Sequence, residues 1–181
     1  PELRVEITMR DERQNLVVDG VDLAIRMGTL EDSAFGARPM ASVSRLLVAS
    51  PTYLAIRGVP TSPEALRLHD ALLHEHSVTE QCTWTLHRAG AQHAVTLHGK
   101  IRIDAAPGIL AAATAGLGIA NVTSIMAAEA LRDGSLVRLL PDYELEPLKV
   151  FAVFPSGPKP SAKVRVLVEH LMAVLANGND D

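Results

Sequence analysis

The sequence is poor in aromatic residues and in clustered positive charge, and each shortage excludes a kind of function. Aromatic residues make up only 3% of the 181 residues, too few to favour the platforms on which single-strand nucleic acid binders stack bases. The formal charge is −4 and no three basic residues are adjacent, whereas a chain that grips duplex DNA usually carries a basic face. We therefore predict that this chain does not itself hold DNA.

The sequence also has a single cysteine and no long apolar run. Cys82 has no second cysteine with which to form an internal disulfide, which favours a reducing, cytoplasmic location. No basic cluster lies beside Cys82, so we expect an inert small hydrophobe there. No apolar stretch approaches the ~20 residues that span a bilayer, so no membrane partner is expected. The chain begins at Pro1 rather than Met, so we interpret it as a fragment and conclude little from the lack of a signal peptide.

Hydrophobic residues make up 48% of the chain, which is enough for a core, and their spacing predicts strands and helices in alternation. Apolar and polar residues alternate over 3–8, which predicts a strand with one buried face. A short helix is expected to begin at Asp11 and to end at Gly20. A second strand at 21–26 follows at once, so the three elements predict a parallel βαβ unit.

The other predicted elements follow from apolar runs, alternation and capping residues. Helices are expected after the Ser-Pro pairs at 50–51 and 62–63, and a hairpin between strands at 84–87 and 94–98. Further strands are predicted at 71–76, 101–103, 119–122 and 136–140, and further helices at 105–115, from a cap at Ser124 to 132, and from Ser161 onward.

Two nearly continuous apolar runs, at 45–49 and 148–154, are typical of strands covered on both faces and could cross between two lobes. We predict a first lobe from 1–70 with 155–181, and a second lobe from 71–154. Because strands alternate with helices throughout, the predicted fold class is α/β.

Some groups of residues invite a chemical interpretation that their context does not favour. His74 and His76 share one strand face, but no third ligand is evident, so we expect a solvated face and no metal site. The Gly-Leu-Gly at 116–118 closes a helix and opens a strand, which is the reverse of a dinucleotide-binding loop. Trp84 is expected in the core and not as a stacking platform. No acid–base or nucleophile pair is evident in the sequence, so no catalytic residue and no cofactor is predicted.

Seven blocks of the sequence resemble the effector-binding, or substrate-binding, domain of LysR-type transcriptional regulators. No single block is diagnostic, but the seven occur in the family's order and at its separations across essentially the whole chain. The blocks are PELRVEI at 1–7, LVVDGVDLAIR at 16–26, LVASPTYL at 47–54, ATAGLGIA at 113–120, GSLVRLL at 134–140, FPS at 154–156 and SAKVR at 161–165.

The resemblance implies two Rossmann-like lobes joined by two crossover strands, similar to type 2 periplasmic binding proteins, with an effector in the cleft between the lobes. It also implies a helix-turn-helix domain upstream that reads the major groove, so DNA would be contacted only through that domain, which is absent from this chain. A homo-oligomer, either a dimer or a tetramer of the full-length protein, is the implied assembly. The family's domain opens with a further strand and helix before the block at 1–7, so we expect the first lobe to lack both.

Two strand ends are predicted to contact the effector. Ligands of doubly wound sheets bind outside the carboxyl ends of the strands, and the family implies contacts after the strand at 21–26 and after the strand at 101–103. The first loop offers a glycine backbone and a threonine hydroxyl, although an ordinary loop is the alternative. The second opens a helix whose amides can hold an anionic group, with Asp104 expected as its N-cap. The predicted effector-binding residues are Met27, Gly28, Thr29, Leu30, Asp104, Ala105, Ala106 and Pro107.

The sequence and the resemblance together predict an effector-binding domain that senses a small metabolite, anionic if the helix amides hold it, and controls transcription by the full-length protein. The alternative is a solute-binding protein of a transporter with the same fold, which an upstream signal peptide in place of a helix-turn-helix would reveal. An enzyme would need reactive groups at the strand ends, where only Asp104 and Thr29 stand. A dimerisation platform with a vestigial cleft is a further alternative.

Overall fold

A computed structural model describes residues 4–9, 16–30, 35–74, 81–155, 157 and 159–177, with side chains to residue 174. In chain order its strands are β1 (Ala24–Met27), β2 (Gly36–Val43), β3 (Arg45–Ala49), β4 (Leu72–His74), β5 (Gln81–Arg88), β6 (Ala91–His98), β7 (Ile101–Ile103), β8 (Ala120–Thr123), β9 (Val137–Leu139), β10 (Glu144–Leu145) and β11 (Leu148–Phe154). Its helices are α1 (Pro51–Arg57), a 3-10 helix (Glu64–Leu68), α2 (Ala106–Thr114), α3 (Ser124–Arg132) and α4 (Ala162–Asn177).

The chain forms two compact units, one from residues 1–43 with 148–181 and the other from residues 44–147. The sequence placed these divisions later, after residue 70 and after residue 154. The difference has a physical cause, because the segment from 44 to 70 supplies core residues of the second unit, while β11 is the central strand of the first unit's sheet. Apolar runs predict that a strand is buried, but they do not show which core buries it.

The first unit contains an antiparallel sheet with the strand order β1-β11-β2. Its core joins Ala152 and Phe154 of β11 to Val164 and Val168 of α4, so the apolar side of the predicted final helix covers this sheet. The first strand of the predicted βαβ unit is wrong, since residues 4–9 form no strand and are exposed. Alternation yields a strand only where one face is buried and the backbone is paired, and neither holds for this segment.

The predicted stop at Gly20 is confirmed by its hydrogen bonds. The amide of Val21 donates to the carbonyl of Leu16 at 3.1 Å, and the amide of Gly20 donates to that of Val17 at 3.3 Å. This is the pattern of a Schellman cap, and it needs the positive φ of +66° that Gly20 adopts. The start of the predicted helix, at residues 11–15, lies outside the described residues.

The second unit is built on a sheet with both faces covered. Strands β8, β3 and β9 pair antiparallel, β4 and β7 pair parallel, and a parallel bridge from Ala71 to Ile119 connects the two groups. Leu47 and Ala49 of β3 belong to a core shared with α1 and the β5–β6 hairpin. Val48, between them, belongs to a core shared with α2 and α3. This alternation confirms the prediction that β3 is a strand buried on both sides.

Capping residues begin two helices of this unit. The side-chain oxygen of Ser50 accepts a hydrogen bond from the amide of Tyr53 at 3.2 Å, which confirms the predicted start of α1. The predicted cap of α3 at Ser124 is wrong by one residue, because the hydroxyl of Thr123 accepts from the amide of Met126. The cap is the last residue with extended backbone, and β8 continues through Thr123, so that residue takes the role.

Candidate functional site

Residues 27–30 lie at the carboxyl end of β1, and Met27, expected in the loop, is the last residue of the strand. The amide of Gly28 donates a hydrogen bond to the carbonyl of Lys149 on β11 at 2.9 Å. Gly28 has a φ of +95°, and a Cβ atom added there would meet nothing within 4 Å. The side chain of Met27 is 61% exposed and Thr29 is exposed as well. The loop therefore exposes an apolar side chain, an unobstructed glycine backbone and a hydroxyl group at this strand end.

The residues at 104–107 link the end of β7 to the start of α2. The predicted cap at Asp104 is wrong, because the N-cap of α2 is Ala105, which makes no side-chain capping bond. The carbonyl of Ala105 accepts from the amides of Gly108 at 2.9 Å and Ile109 at 3.2 Å, which defines the first helical turn one residue later than expected. Asp104 is exposed and lies outside that turn.

The start of α2 has few amides to offer an anionic ligand. Pro107, in the first turn, has no N–H, and the amide of Gly108 is already used within the turn. The positive end of the helix dipole still favours an anion at this position. It is flanked by Ala105, Ala106 and Pro107. This strand end therefore presents mainly apolar residues beside the exposed carboxylate of Asp104, whose negative charge opposes the positive end of the helix dipole. Residues 27–30 belong to the first unit and residues 104–107 to the second.

Sequence reasoning missed two polar residues at the same end of the second unit's sheet. Nε of Arg45 donates a hydrogen bond to Oδ1 of Asn121 at 3.0 Å. Arg45 begins β3 and pairs with Thr123, the last residue of β8. Because β8 continues the parallel direction of β4 and β7, Arg45 lies at the end of the sheet where 104–107 lie. The sequence did contain one indication of a special role for Arg45, since it is the only charged residue in the run Arg-Leu-Leu-Val-Ala.

Two cavities are lined by none of the eight predicted residues. A crevice of about 10 Å³ in the second unit is lined by Arg45, Arg138 and Tyr143 among others. An open groove of about 560 Å³ in the first unit lies between the turn around Gly20 and the start of α4. Across its rim, Nζ of Lys163 lies 2.9 Å from Oδ2 of Asp22.

Other groups that the sequence singled out have structural roles. Trp84 is buried in the core of the second unit, as predicted. Burial raises the pKa of Cys82 to about 11, which agrees with an inert thiol. His74 ends β4, whereas His76 lies outside the described residues. Within the described part of the chain, no three His, Cys, Asp or Glu residues are grouped as a metal site would need, and no helix combines the length and apolar character of a membrane span.

Comparison with known proteins gives one consistent answer. The family described as the LysR substrate binding domain matches residues 1–176. An uncharacterized HTH-type transcriptional regulator from Haemophilus influenzae is 31% identical over 156 residues, which are 86% of this chain and 54% of that protein. The chain spans little more than half the length of the curated relatives it matches.

Solved structures agree with the sequence comparison. The full-length structure of AphB, a virulence activator from Vibrio cholerae and a member of the LTTR family, has a TM-score of 0.73 at 28% identity, covering 93% of this chain and 57% of that one. The regulatory domain of AphB from Vibrio vulnificus has a TM-score of 0.70 at 30% identity, covering 93% of this chain and 83% of that one.

These neighbours are regulatory domains of the two-lobed α/β class similar to type 2 periplasmic binding proteins, which confirms the predicted fold class. The relatives are transcriptional regulators, so the transporter alternative is not favoured. With a family match over nearly its entire length, the chain belongs to the substrate-binding domains of LysR-type transcriptional regulators.

Proposed function

We propose that this domain senses a small-molecule effector, that residues 27–30 and 104–107 contribute contacts to it, and that the bound state changes DNA binding by the full-length protein. The observation that supports this most directly is positional. In a chain of the LysR family, residues 104–107 follow the carboxyl end of β7, which pairs parallel with β4, and parallel sheets bind ligands beyond such ends. Residues 27–30 lie at the carboxyl end of β1, which pairs antiparallel with β11, so their contribution is proposed from the family match.

The effector acts by preferring one arrangement of the domain over another. A ligand shifts a conformational equilibrium only by the difference between its affinities for the two states. In the full-length, homo-oligomeric, cytoplasmic regulator that we propose, this shift repositions DNA-binding domains outside the present chain. No catalytic step is proposed, since the polar side chains of the two groups are the Thr29 hydroxyl and the Asp104 carboxylate, which lie in different units.

A thermal-shift screen tests the proposal. The chain is melted with small carboxylic acids, aromatic acids and amino acids, each beside its neutral amide. A ligand present at about a hundred times its dissociation constant adds about 2.7 kcal/mol to the free energy of unfolding. For a chain of this size that raises the melting temperature by roughly 5–10 °C. If no compound of any class shifts the melting of a cooperatively folding chain, the proposed sensing function is contradicted for this domain.

Two variants then locate the contacts. Gly28→Val fills the open backbone after β1, and Pro107→Trp obstructs the start of α2, so each is expected to abolish the shift. Gly134→Val is the matched control, because Gly134 has a similar positive φ of +78° with nothing within 4 Å and lies in the turn between α3 and β9, outside both groups of residues. The control loses stability from the same backbone strain but keeps the ligand-induced shift. Equal loss in all three variants would contradict the assignment of the contacts.

A further inference from the structure

The hydrogen bond between Arg45 and Asn121 leaves the amide nitrogen of the asparagine without a partner among the described residues. Nε of Arg45 donates to Oδ1 of Asn121 at 3.0 Å, which sets the orientation of the amide, since the flipped amide would direct one donor at another. In this orientation Nδ2 of Asn121 is buried and has no hydrogen-bond partner among the described residues. A buried donor without an acceptor is costly, so the contact with Arg45 is kept at the expense of stability.

An aspartate would serve a purely structural role better at this position. Its second oxygen needs no acceptor, so no orphan donor would remain, and its charge would neutralise the guanidinium. The asparagine orients Arg45 through a single hydrogen bond and leaves its positive charge uncompensated. The choice of amide over carboxylate is therefore informative about what Arg45 does.

The charge of Arg45 has no close protein counter-ion among the described residues. No carboxylate oxygen lies within salt-bridge distance of it there, although the exposed Glu146 attracts it from farther away. Burial lowers the pKa of Arg45 and Glu146 partly offsets this effect, but a guanidinium stays protonated at neutral pH. A half-buried, oriented and unpaired cation is suited to receive an anion.

The surroundings of Arg45 limit what this anion can be. The crevice beside Arg45, which Arg138 and Tyr143 also line, has a volume of about 10 Å³, which is room for about one water-sized group. A carboxylate group, with three heavy atoms, does not fit inside this crevice, so an anion meets the part of Arg45 that is exposed to solvent. Arg45 lies at the end of the sheet where 104–107 lie, on the face that Leu47 turns to the β5–β6 hairpin. These surroundings suit a planar anionic end that approaches from solvent.

We propose that Arg45 binds a carboxylate group of the effector and that Asn121 is a positioning residue that holds Arg45 for it. This inference rests on the proposed function, since the carboxylate belongs to the sensed ligand. The planar guanidinium presents its Nη atoms to the two carboxylate oxygens, while Nε stays engaged with Asn121. Without ligand, Glu146 attracts the guanidinium from beyond salt-bridge distance.

The test uses acetate as the probe and acetamide as its neutral counterpart, at constant ionic strength, with the Nε–Hε signal of Arg45 followed by NMR. Acetate is expected to shift this signal saturably, whereas acetamide is not. Arg45→Gln is expected to weaken acetate binding at least tenfold. Arg132→Gln, which removes the same charge from an exposed position at the end of α3, is expected to leave acetate binding unchanged. An Arg45 signal that does not saturate, or equal binding by wild type and Arg45→Gln, would overturn the inference.

The Asn121→Asp variant distinguishes a role of Asn121 in positioning Arg45 from a role in stability alone. This variant removes the orphan donor and neutralises Arg45, so it is expected to raise the melting temperature while weakening acetate binding at least tenfold. Gln92→Glu adds the same charge on the exposed face of β6 and is expected to change neither property. If Asn121→Asp binds acetate as wild type does, Asn121 has no positioning role.

The two proposals fail in different ways. If the screen finds an effector that binds wild type and Arg45→Gln equally, the carboxylate inference is wrong and the sensing function stands. If acetate binds at Arg45 but no metabolite shifts the melting of the chain, the anion site stands and the sensing function loses its support. Arg45→Lys guards against a folding defect, since it keeps the charge, loses the bidentate geometry and is expected to bind acetate with intermediate affinity.

Discussion

The hydroxyl oxygen of Tyr53 lies 3.2 Å from Nδ1 of His69 and also accepts a hydrogen bond from the amide of Asp70 at 3.0 Å. When Nδ1 of His69 is unprotonated, it accepts from the Tyr53 hydroxyl while the hydroxyl oxygen accepts from the amide of Asp70. Tyr53 belongs to α1 and His69 directly follows the 3-10 helix. Arg57 strengthens the same junction, since it donates to the carbonyl of Leu68 at 2.9 Å.

The state of His69 makes the stability of the chain depend on pH. Burial and the nearby Arg57 lower the pKa of His69, and Asp70 only partly opposes them. The unfolded chain has the ordinary value of about 6.5, so it binds the proton more readily than the folded chain does. Stability is therefore fully present above about pH 6.5 and declines as the pH falls through that value. Melting temperatures between neutral and mildly acidic pH measure this, and His69→Gln is expected to flatten the dependence. An equally steep profile in that variant would exclude His69 as the cause.

Removal of the Tyr53 hydroxyl tests the same junction at neutral pH. Tyr53→Phe leaves the buried Nδ1 of His69 and the amide of Asp70 without this partner, so we expect a loss of about 1–3 kcal/mol in the free energy of unfolding. Urea unfolding measures it. Tyr143→Phe is the control, because Tyr143 is only partly buried and the partner of its hydroxyl is the exposed Arg88, for which water can substitute. A larger loss in the control would contradict the importance of the Tyr53 network.

The start of α3 allows two neighbouring hydroxyl residues to be compared. Thr123 is the residue whose oxygen accepts from the helix amide, whereas Ser124 is already the first helical residue. Thr123→Ala is expected to cost about 1 kcal/mol, and Ser124→Ala to change stability by less than about 0.5 kcal/mol. Chemical denaturation of both variants measures this, and the reverse order would restore Ser124 as the cap.

The thiol of Cys82 is expected to react slowly in the folded chain. Its pKa of about 11 implies roughly 100-fold less thiolate at neutral pH than an ordinary thiol has, and the thiolate is the reactive form. The rate of labelling by a disulfide reagent, measured with and without urea, tests this. Comparable rates in both conditions would contradict the assigned pKa.

Features that depend on a few neighbouring residues were predicted from the sequence. The cap at Ser50, the stop at Gly20, the β5–β6 hairpin and the burial of β3 each follow from local spacing, turn chemistry or an apolar run. The two strand ends named as candidate contacts also follow from local order, because a loop after a strand is visible in the chain. Their roles in binding remain predictions.

Features that depend on distant partners were decided by the tertiary structure. The sequence indicated that β3 and β11 are buried, but only the folded chain shows that the first belongs to the second unit and the second to the first. Arg45 and Asn121 are 76 residues apart, so no local pattern brings them together. The physical reason is that periodicity and capping act over one or two turns, whereas strand pairing and the burial of a charge are set by which surfaces meet in the fold.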